Sequence, residues 1–359
     1  MTGMDRLLVV IPSPVFGGAE IQTLQVARGL HAMGAQVAVA AEAAVLKAAG
    51  EQLGGCTAWP AALLADETLP FAAAHRLQAQ ALRPVLAGFR PEAALVCCPL
   101  PTEAFGALQA LGAAGVPALA VAHLVRHDWR LGASEQAALE ALRNGWAAIS
   151  APTARRLEAL FGLAPGRVAI IPNGLPPLAP LAADRARFSL PEGVPLLVQV
   201  GRLDTRKGAH LAPAIAARIA PARLILAGEG PLAASLAAAH GVHQLGRVAD
   251  IPALLACADA FLLASNHEGG VPLVVLEAAR AGCPILTTRA ALEAWPHPDE
   301  IARLVRREPA HIASVFAEAL RDRAGTARRI AAARAMTESW DEAAMLRRTA
   351  FLLAAEVGR

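Results

Sequence analysis

Short apolar runs, each followed by a loop and then by a helical segment, recur along this chain. Four of them lie at residues 6–11, 36–41, 92–98 and 258–264. Each has the length of a strand that is buried on both faces. Helical segments separate them, so the alternation predicts an α/β fold with parallel sheets covered by helices on both faces. In such a sheet the carboxyl ends of the strands meet at one edge, where ligands bind.

The length of the chain predicts two domains. Its 359 residues exceed the size at which a single hydrophobic core stops growing. Composition indicates the boundary, because residues 175–194 are rich in Pro and Ala. We therefore expect a first domain over residues 1–178, a linker over 179–194 and a second domain over 195–335, with a C-terminal helix over 336–359.

Composition also argues against several classes of protein. Hydrophobic residues make up 55% of the chain, but no apolar run reaches the roughly 18 residues that a membrane span needs. The first predicted strand is too short for the core of a signal peptide, so we expect a cytoplasmic protein. Peripheral contact with the inner membrane stays open. A net charge of +3 and an aromatic content of 4% do not favour nucleic-acid binding.

The five cysteines are an odd number and lack paired metal-ligand spacing. Most of them lie in apolar surroundings along the chain, at Cys56, Cys97, Cys98, Cys257 and Cys283. A buried thiol in such surroundings behaves as a small hydrophobic group. The sequence therefore predicts buried, reduced cysteines.

One strand, loop and helix, at residues 258–284, carries several candidate ligand-binding groups. Gly269 and Gly270 lack the Cβ atoms that would keep a ligand away from the backbone. A helix start attracts phosphate, and a carboxylate one turn further on, Glu277, can accept hydrogen bonds from paired hydroxyl groups. The pattern is typical of a site for a sugar joined to a phosphate. A plain strand-to-helix connection with solvated glutamates at 268 and 277 is the alternative.

A second loop, at residues 201–208, carries two cations beside the carboxyl end of a predicted strand. A guanidinium at Arg202 and an ammonium at Lys207 would suit a diphosphate, whose departure builds up negative charge. A solvated basic turn is the alternative.

Two loops of the first domain carry further candidates. Gly17 and Gly18 lie between the first strand and its helix, either as a point of ligand approach or as a tight turn. His123 directly follows a predicted strand, and it is either an acid/base group or a hydrogen-bonded structural residue. His127 and Asp128 come next and could form an oriented pair of the same kind, with His127 as the alternative to His123.

Together these motifs resemble the retaining family-four glycosyltransferases, the glycosyl transferases group 1. The loop that carries Glu268 and Glu277 is similar to the family's paired-glutamate signature. Residues 201–208 are similar to its Gly-Arg-Leu and Lys-Gly pattern, and the Pro-Asn-Gly at 172–174 is similar to its ending before the linker. The resemblance implies the GT-B fold, in which two Rossmann-like domains face each other across a cleft and a C-terminal helix crosses back to the first domain.

The family's activity implies transfer of a sugar, with retention of configuration, from a nucleotide-diphosphate donor to a hydroxyl acceptor. A sugar or lipid-linked acceptor in cell-envelope polysaccharide or glycolipid assembly is expected. The nucleotide-sugar is a substrate, and no cofactor is expected. The chain lacks an Asp-x-Asp motif, so no metal is expected either.

The resemblance also assigns roles to residues. The predicted catalytic residues are Arg202, Lys207, Glu268 and His123. The two cations hold the leaving diphosphate, and the other two side chains lie against the donor sugar. Glu277 binds the ribose, and the backbone at 246–248 contacts the edge of the nucleobase. The predicted donor-binding residues are Gly17, Gly18, Gly246, Arg247, Val248, Gly269, Gly270, Val271, Leu273 and Glu277.

One spacing departs from the family pattern. Nine positions rather than eight separate Glu268 from Glu277, while Pro272 keeps its usual distance from Glu277. The extra residue therefore falls before Pro272. Either Glu268 reaches the sugar through a bulged loop, or Asn266 or His267 replaces it.

The displaced glutamate motivates two competing hypotheses. The protein could be a non-catalytic GT-B scaffold that binds nucleotide-sugar or only keeps the fold. It could also be a sugar-nucleotide epimerase, which would convert the donor without an acceptor. Product analysis separates the three hypotheses. A transferase gives a transferred sugar, a scaffold gives no product, and an epimerase gives an isomerised donor.

Overall fold

The computed structural model of the protein describes residues 5–177 and 181–358, and they form two compact units. The first unit runs to Gly174 and includes the chain from Glu342 onwards, and the second is Leu175–Asp341. The predicted boundary between residues 178 and 179 lies outside the described residues.

The part of the predicted linker that the structure describes, residues 181–194, belongs to the second unit. Arg185 fixes it there, because one guanidinium nitrogen lies 3.1 Å from the Asp259 carboxylate. The other donates hydrogen bonds to the carbonyls of Pro191 and Val194 at 3.1 and 2.9 Å. A Pro-rich composition was therefore a poor guide to how this segment packs.

The first unit contains a parallel sheet of seven strands, in the order β3-β2-β1-β4-β5-β6-β7. The strands are β1 (Arg6–Ile11), β2 (Gln36–Ala41), β3 (Thr57–Pro60), β4 (Ala93–Cys98), β5 (Ala118–Ala122), β6 (Gly145–Ala148) and β7 (Ala169–Ile170). The helices that alternate with them are α1 (Gly18–Ala32), α2 (Ala43–Ala49), α3 (Phe71–Phe89), α4 (Phe105–Ala113), α5 (Ala133–Glu140) and α6 (Ala151–Phe161).

Both faces of the central strands of this sheet are buried, which explains why β1, β2, β4 and β5 are apolar at nearly every position. In β1, Leu8 and Val10 point into one hydrophobic core, while Leu7 and Val9 point into another on the opposite face. Successive side chains of a strand alternate between faces, so a strand with two covered faces needs an unbroken apolar run.

The second unit contains a parallel sheet of six strands, in the order β10-β9-β8-β11-β12-β13. The strands are β8 (Leu196–Val200), β9 (Arg223–Ala227), β10 (Val242–Gly246), β11 (Ala260–Leu263), β12 (Ile285–Thr287) and β13 (Arg303–Leu304). Its helices are α7 (Ala212–Ile219), α8 (Ala233–Leu236), α9 (Ile251–Ala256), α10 (Leu273–Ala281), α11 (Pro298–Ile301), α12 (Pro309–Arg321) and α13 (Arg323–Thr337).

The last helix, α14 (Glu342–Val357), returns to the first unit, as the sequence predicted. It packs against α1, where Met345 lies in the same core as the residues of β1. A Cβ atom on Gly29 of α1 would lie 2.3 Å from the Leu346 side chain, so any larger residue there would require Leu346 to shift. Residues 336–341, predicted as part of the returning helix, belong to the second unit instead.

Two strands lie outside the apolar runs of the sequence. The short strand β3 precedes α3. Arg303–Leu304 forms the strand β13 at the edge of the second sheet. Two-residue and half-exposed strands lack the apolar run on which the prediction depended. All five cysteines are buried and unpaired, as predicted.

No helix in residues 5–177 or 181–358 has both the length and the apolar character that crossing a membrane requires.

Candidate functional site

In the second unit, the strand order reverses between β8 and β11, which are neighbours in the sheet but not in sequence. Ligands of open α/β sheets bind at such a switch point, outside the carboxyl ends of the strands. The loops that follow β8 and β11 are residues 201–208 and 264–272, the two loops in which the sequence placed the diphosphate and sugar contacts. They touch, since the Asn266 N–H donates to the Arg206 carbonyl at 3.1 Å.

The loop 201–208 is held by its own side chains. The Asp204 carboxylate accepts a hydrogen bond from the Lys207 N–H at 2.8 Å and lies 3.2 Å from the Arg202 guanidinium. Gln199, on β8, donates to the Lys207 carbonyl at 3.1 Å. Asp204 therefore fixes the positions of both predicted diphosphate-binding cations, with 45% of the Arg202 side chain left exposed. A ligand at this edge would meet a loop that is already ordered.

Glu268 lies between two cations. Its Oε1 is bound to the Lys207 ammonium, and its Oε2 lies 3.7 Å from the Arg206 guanidinium. Burial alone raises the pKa of Glu268, but the charges of Lys207 and Arg206 outweigh it and hold the pKa below its usual value. The Glu268 side chain is therefore a carboxylate at neutral pH. The predicted sugar contact is an ion-pair partner of the predicted diphosphate contact.

Glu277 lies one turn into α10, whose first residue, Leu273, follows Pro272 as the N-cap. Its carboxyl group is half-buried, and burial raises its pKa to about 7. Within the described part of the chain it has no hydrogen-bond or ion-pair partner. A carboxyl group that is partly shielded from water and has no protein partner is stabilised when it accepts hydrogen bonds from ligand hydroxyl groups.

The other predicted donor-binding residues of the second unit lie at the same edge of the sheet. Gly269, Gly270 and Val271 are buried between Glu268 and α10. Gly246 ends β10, and its carbonyl accepts a hydrogen bond from the Gly228 N–H at 2.7 Å. Arg247, which follows it, is exposed, and Val248 is half-buried.

The turn after β9 has a structural role. Gly228 has a φ of +146°, and a Cβ there would lie 2.0 Å from the Gly201 carbonyl oxygen. Only glycine fits such an approach. The contact joins the loop after β9 to the loop that carries Arg202 and Lys207, so this Gly-Glu-Gly turn positions residues 201–208.

In the first unit, Gly17 and Gly18 lie where β1 passes into α1, next to the switch point between β1 and β4. Neither has a positive φ, and no described atom lies within 4 Å of a Cβ placed on Gly18. Neither backbone strain nor internal packing therefore requires glycine at 18. Glu20 caps the helix, because its carboxylate accepts the Gly17 N–H at 2.7 Å.

His123 lies at the carboxyl end of β5, and its backbone N–H donates to the Cys98 carbonyl at 2.9 Å. Only 7% of the residue is exposed, and its Nε2 has no hydrogen-bond partner among the described residues. Burial lowers the pKa of His123 to about 4, so the ring is neutral at physiological pH. A neutral imidazole at a strand end can exchange one hydrogen bond with a substrate hydroxyl group.

The predicted His127–Asp128 pair is not formed. The Asp128 carboxylate instead accepts a hydrogen bond from the Arg126 guanidinium at 2.9 Å, on an exposed loop. A guanidinium can form a bidentate hydrogen-bonded ion pair with a carboxylate, whereas an imidazole can donate only one such hydrogen bond.

Sequence reasoning missed Asp204 and Arg206. An Asp three positions before the N–H that it accepts is a local turn signal that could have been recognised. Arg206 gave no separate signal, because it adjoins Lys207 in a basic run. Among the described residues, no group of three or more His, Cys, Asp or Glu side chains could hold a metal ion.

Two parallel α/β units of seven and six strands, the second with a cation-bearing loop at its switch point, define the GT-B class of glycosyltransferase fold. Sequence profiles agree for both halves of the chain. Residues 16–177 match the family described as Glycosyltransferase Family 4, and residues 194–322 match the Glycosyl transferases group 1. The chain belongs to the group 1, family-four glycosyltransferases.

Relatives of known name are similar over part or all of the chain. The lipopolysaccharide core biosynthesis glycosyltransferase LpsE of Rhizobium meliloti is 33% identical over 124 residues, which span 32% of this chain and 36% of LpsE. The Anabaena protein HepE, solved with UDP-glucose, is 18% identical, with a TM-score of 0.77 over 98% of this chain and 100% of HepE. WaaG, a glycosyltransferase involved in lipopolysaccharide biosynthesis, is 17% identical, with a TM-score of 0.71 over 97% and 99% of the two chains.

Proposed function

We propose that this protein transfers a sugar from a nucleoside-diphosphate donor to a hydroxyl acceptor, with retention of configuration at the sugar carbon. The observation that carries the proposal is the loop at the switch point between β8 and β11, which places Lys207 and Arg206 around Glu268 and braces Arg202 through Asp204. Cations fixed at a strand end are suited to a diphosphate leaving group. Family membership favours the same reaction.

In the proposed reaction, the bond between the sugar carbon and the diphosphate oxygen breaks, and a bond from the acceptor oxygen to the same carbon forms. Arg202 and Lys207 stabilise the negative charge that develops on the diphosphate. The departing oxygen takes the acceptor proton on the same face of the sugar. Glu277 is proposed to hold the ribose hydroxyl groups, and no metal or cofactor is proposed.

The substrates are proposed from the relatives. HepE was solved with UDP-glucose, so UDP is the first nucleotide to test. LpsE and WaaG are named for lipopolysaccharide biosynthesis, which favours a saccharide or lipid-linked acceptor of that kind. Peripheral contact with the inner membrane stays a prediction.

Nucleotide binding tests the proposal most directly. We expect UDP or one of GDP, ADP and CMP to raise the melting temperature, because a ligand at about 100 times its Kd stabilises the folded state by about 2.7 kcal/mol. Donor and acceptor are then incubated with the protein and the products identified by mass spectrometry. No shift with any nucleotide would favour the scaffold hypothesis, and an isomerised donor without transfer would favour the epimerase.

Substituting Gly18 with Ala tests the glycine loop. The new methyl group meets no described atom, and Ala favours a helix start, so the free energy of unfolding should stay equal or rise by up to about 1 kcal/mol. If a substrate approaches the backbone there, the methyl group displaces it, and the rate of transfer should fall by about tenfold or more.

Gly112→Ala is the matched control for this substitution. Gly112 lies inside α4, and beyond its own helix backbone and neighbouring residues no described atom lies within 4 Å of its Cβ position either. The Gly112→Ala variant should keep its rate, and its free energy of unfolding should stay equal or rise by up to about 1 kcal/mol, as for Gly18→Ala. Equal rates in the two variants would show that no substrate approaches Gly18.

A further inference from the structure

The ion cluster of Lys207, Glu268 and Arg206 has a feature that the transfer reaction itself does not explain. Both carboxylate oxygens of Glu268 are directed at cations of the neighbouring loop. The side chains of Glu268 and Lys207 are only 11% and 16% exposed. Arg206 is anchored as well, since it donates to the His267 carbonyl at 3.3 Å.

Charges that are this far buried persist only when they are paired. Removing the Glu268 carboxylate would leave Lys207 and Arg206 side by side in a partly buried loop. Removing the two cations would leave Glu268 as a buried, unpaired anion. A donor diphosphate brings at least two negative charges to the same cations, so it cannot bind beside an unmoved Glu268 without repulsion. One anion has to replace the other.

We infer that Glu268 is an internal counter-ion of the phosphate-binding cations, and that the donor diphosphate displaces it and binds Arg206 as well as Lys207. The inference rests on the proposed function. It adds Arg206 to the diphosphate site and gives the displaced glutamate a role before the sugar is bound. The exchange keeps both cations paired with an anion before and after the donor binds.

The extra residue between Glu268 and Pro272 fits this role. The loop after β11 crosses from the strand to α10, and its Asn266 is bonded by the backbone to Arg206. A loop with one more residue can bring the Glu268 carboxylate back to its neighbour. The longer loop also gives the Glu268 side chain room to rotate away from the cations when the diphosphate binds.

Titration calorimetry of UDP against wild type and Glu268→Gln tests the exchange. If Glu268 competes with the diphosphate, its neutral replacement should bind UDP about three- to tenfold more tightly, as expected for removal of one nearby charge. The control Glu338→Gln removes an exposed carboxylate at the end of α13 and should bind as wild type does.

The possible outcomes separate the two proposals. Equal or weaker UDP binding by Glu268→Gln than by wild type would overturn the inference while leaving a nucleotide site in place. Failure of wild type to bind UDP or any other nucleoside diphosphate would overturn the proposed function itself.

Arg206→Gln provides a second test that does not depend on the stability of the Glu268 variant. If the guanidinium binds the diphosphate, UDP affinity should fall by about tenfold or more. In the double variant with Glu268→Gln, the gain from the second change should be smaller than in wild type, because one of the two cations is absent. Wild-type UDP affinity in Arg206→Gln would overturn the assignment of Arg206.

Discussion

Replacing Lys207 with Ala should lower the rate of sugar transfer by about 10²–10³-fold, the loss expected when one group that stabilises developing charge is removed. The ammonium is held beside the switch point by its bond to Glu268, and its backbone is fixed by Asp204 and Gln199. UDP affinity should fall as well, because the diphosphate loses a charge-assisted hydrogen bond. The effect on the rate is measured as initial rates with the donor whose nucleotide raises the melting temperature. The effect on affinity is measured by titration with UDP.

The chain contains an internal control for this experiment. Its 33 basic residues include only two lysines, Lys47 and Lys207. Lys47 is exposed in the last turn of α2, so Lys47→Ala should transfer sugar at the wild-type rate.

Folding and catalysis can be distinguished in the Lys207 variant. Lys207→Ala leaves the buried Glu268 with the more distant Arg206, so its melting temperature should fall. Adding Glu268→Gln removes the unpaired charge and should restore part of that temperature without restoring transfer. Wild-type transfer and wild-type UDP affinity in Lys207→Ala would remove Lys207 from the diphosphate site.

The fold could be predicted from the sequence because buried parallel strands leave a simple signature. The bounds of β1 and β2 match the apolar runs residue by residue, since both faces of these strands are covered. The strands β3 and β13 lie at sheet edges, where one side is open and a short run of mixed polar and apolar residues suffices. Their stability comes from pairing with a neighbour, which the local sequence does not record.

The candidate site could be predicted in part for a similar reason. Motifs place Arg202, Lys207 and Glu268 on loops at strand ends and Glu277 in the helix that follows one of them, and parallel topology brings these segments to one edge. The ion pairs within the cluster depend on how two loops approach each other, which neither motif records by itself. The burial that leaves Glu277 without a partner depends in the same way on packing around α10.

Glu277 should make UDP binding depend on pH. Burial raises its pKa to about 7, and ribose hydroxyl groups bind the ionised carboxylate more strongly than the acid. UDP affinity should therefore rise by about tenfold between pH 6 and pH 8, following the fraction of Glu277 that is ionised. Glu277→Ala should weaken binding by about 10–100-fold at pH 8. Calorimetric titration at several pH values measures both effects.

Glu277→Gln separates the carboxyl group from the ionisation of UDP itself. The variant keeps the shape of the side chain, so any pH dependence that remains belongs to the phosphate. The difference between wild type and variant reports Glu277 alone. Parallel profiles in the two proteins would exclude Glu277 from the ribose site.

Stability of the ligand-free protein gives the same pKa by an independent route. Because the folded-state pKa of Glu277 is raised from 4.5 to about 7, the folded protein binds this proton more tightly than the unfolded chain does. The stabilisation is complete below pH 4.5 and is lost as the pH rises to about 7. Glu103, whose pKa burial also raises to about 7, adds a loss of the same sign, so only the difference between wild type and Glu277→Gln is informative. That difference should disappear or reverse at saturating UDP, because a bound ribose stabilises the ionised form that burial alone disfavours.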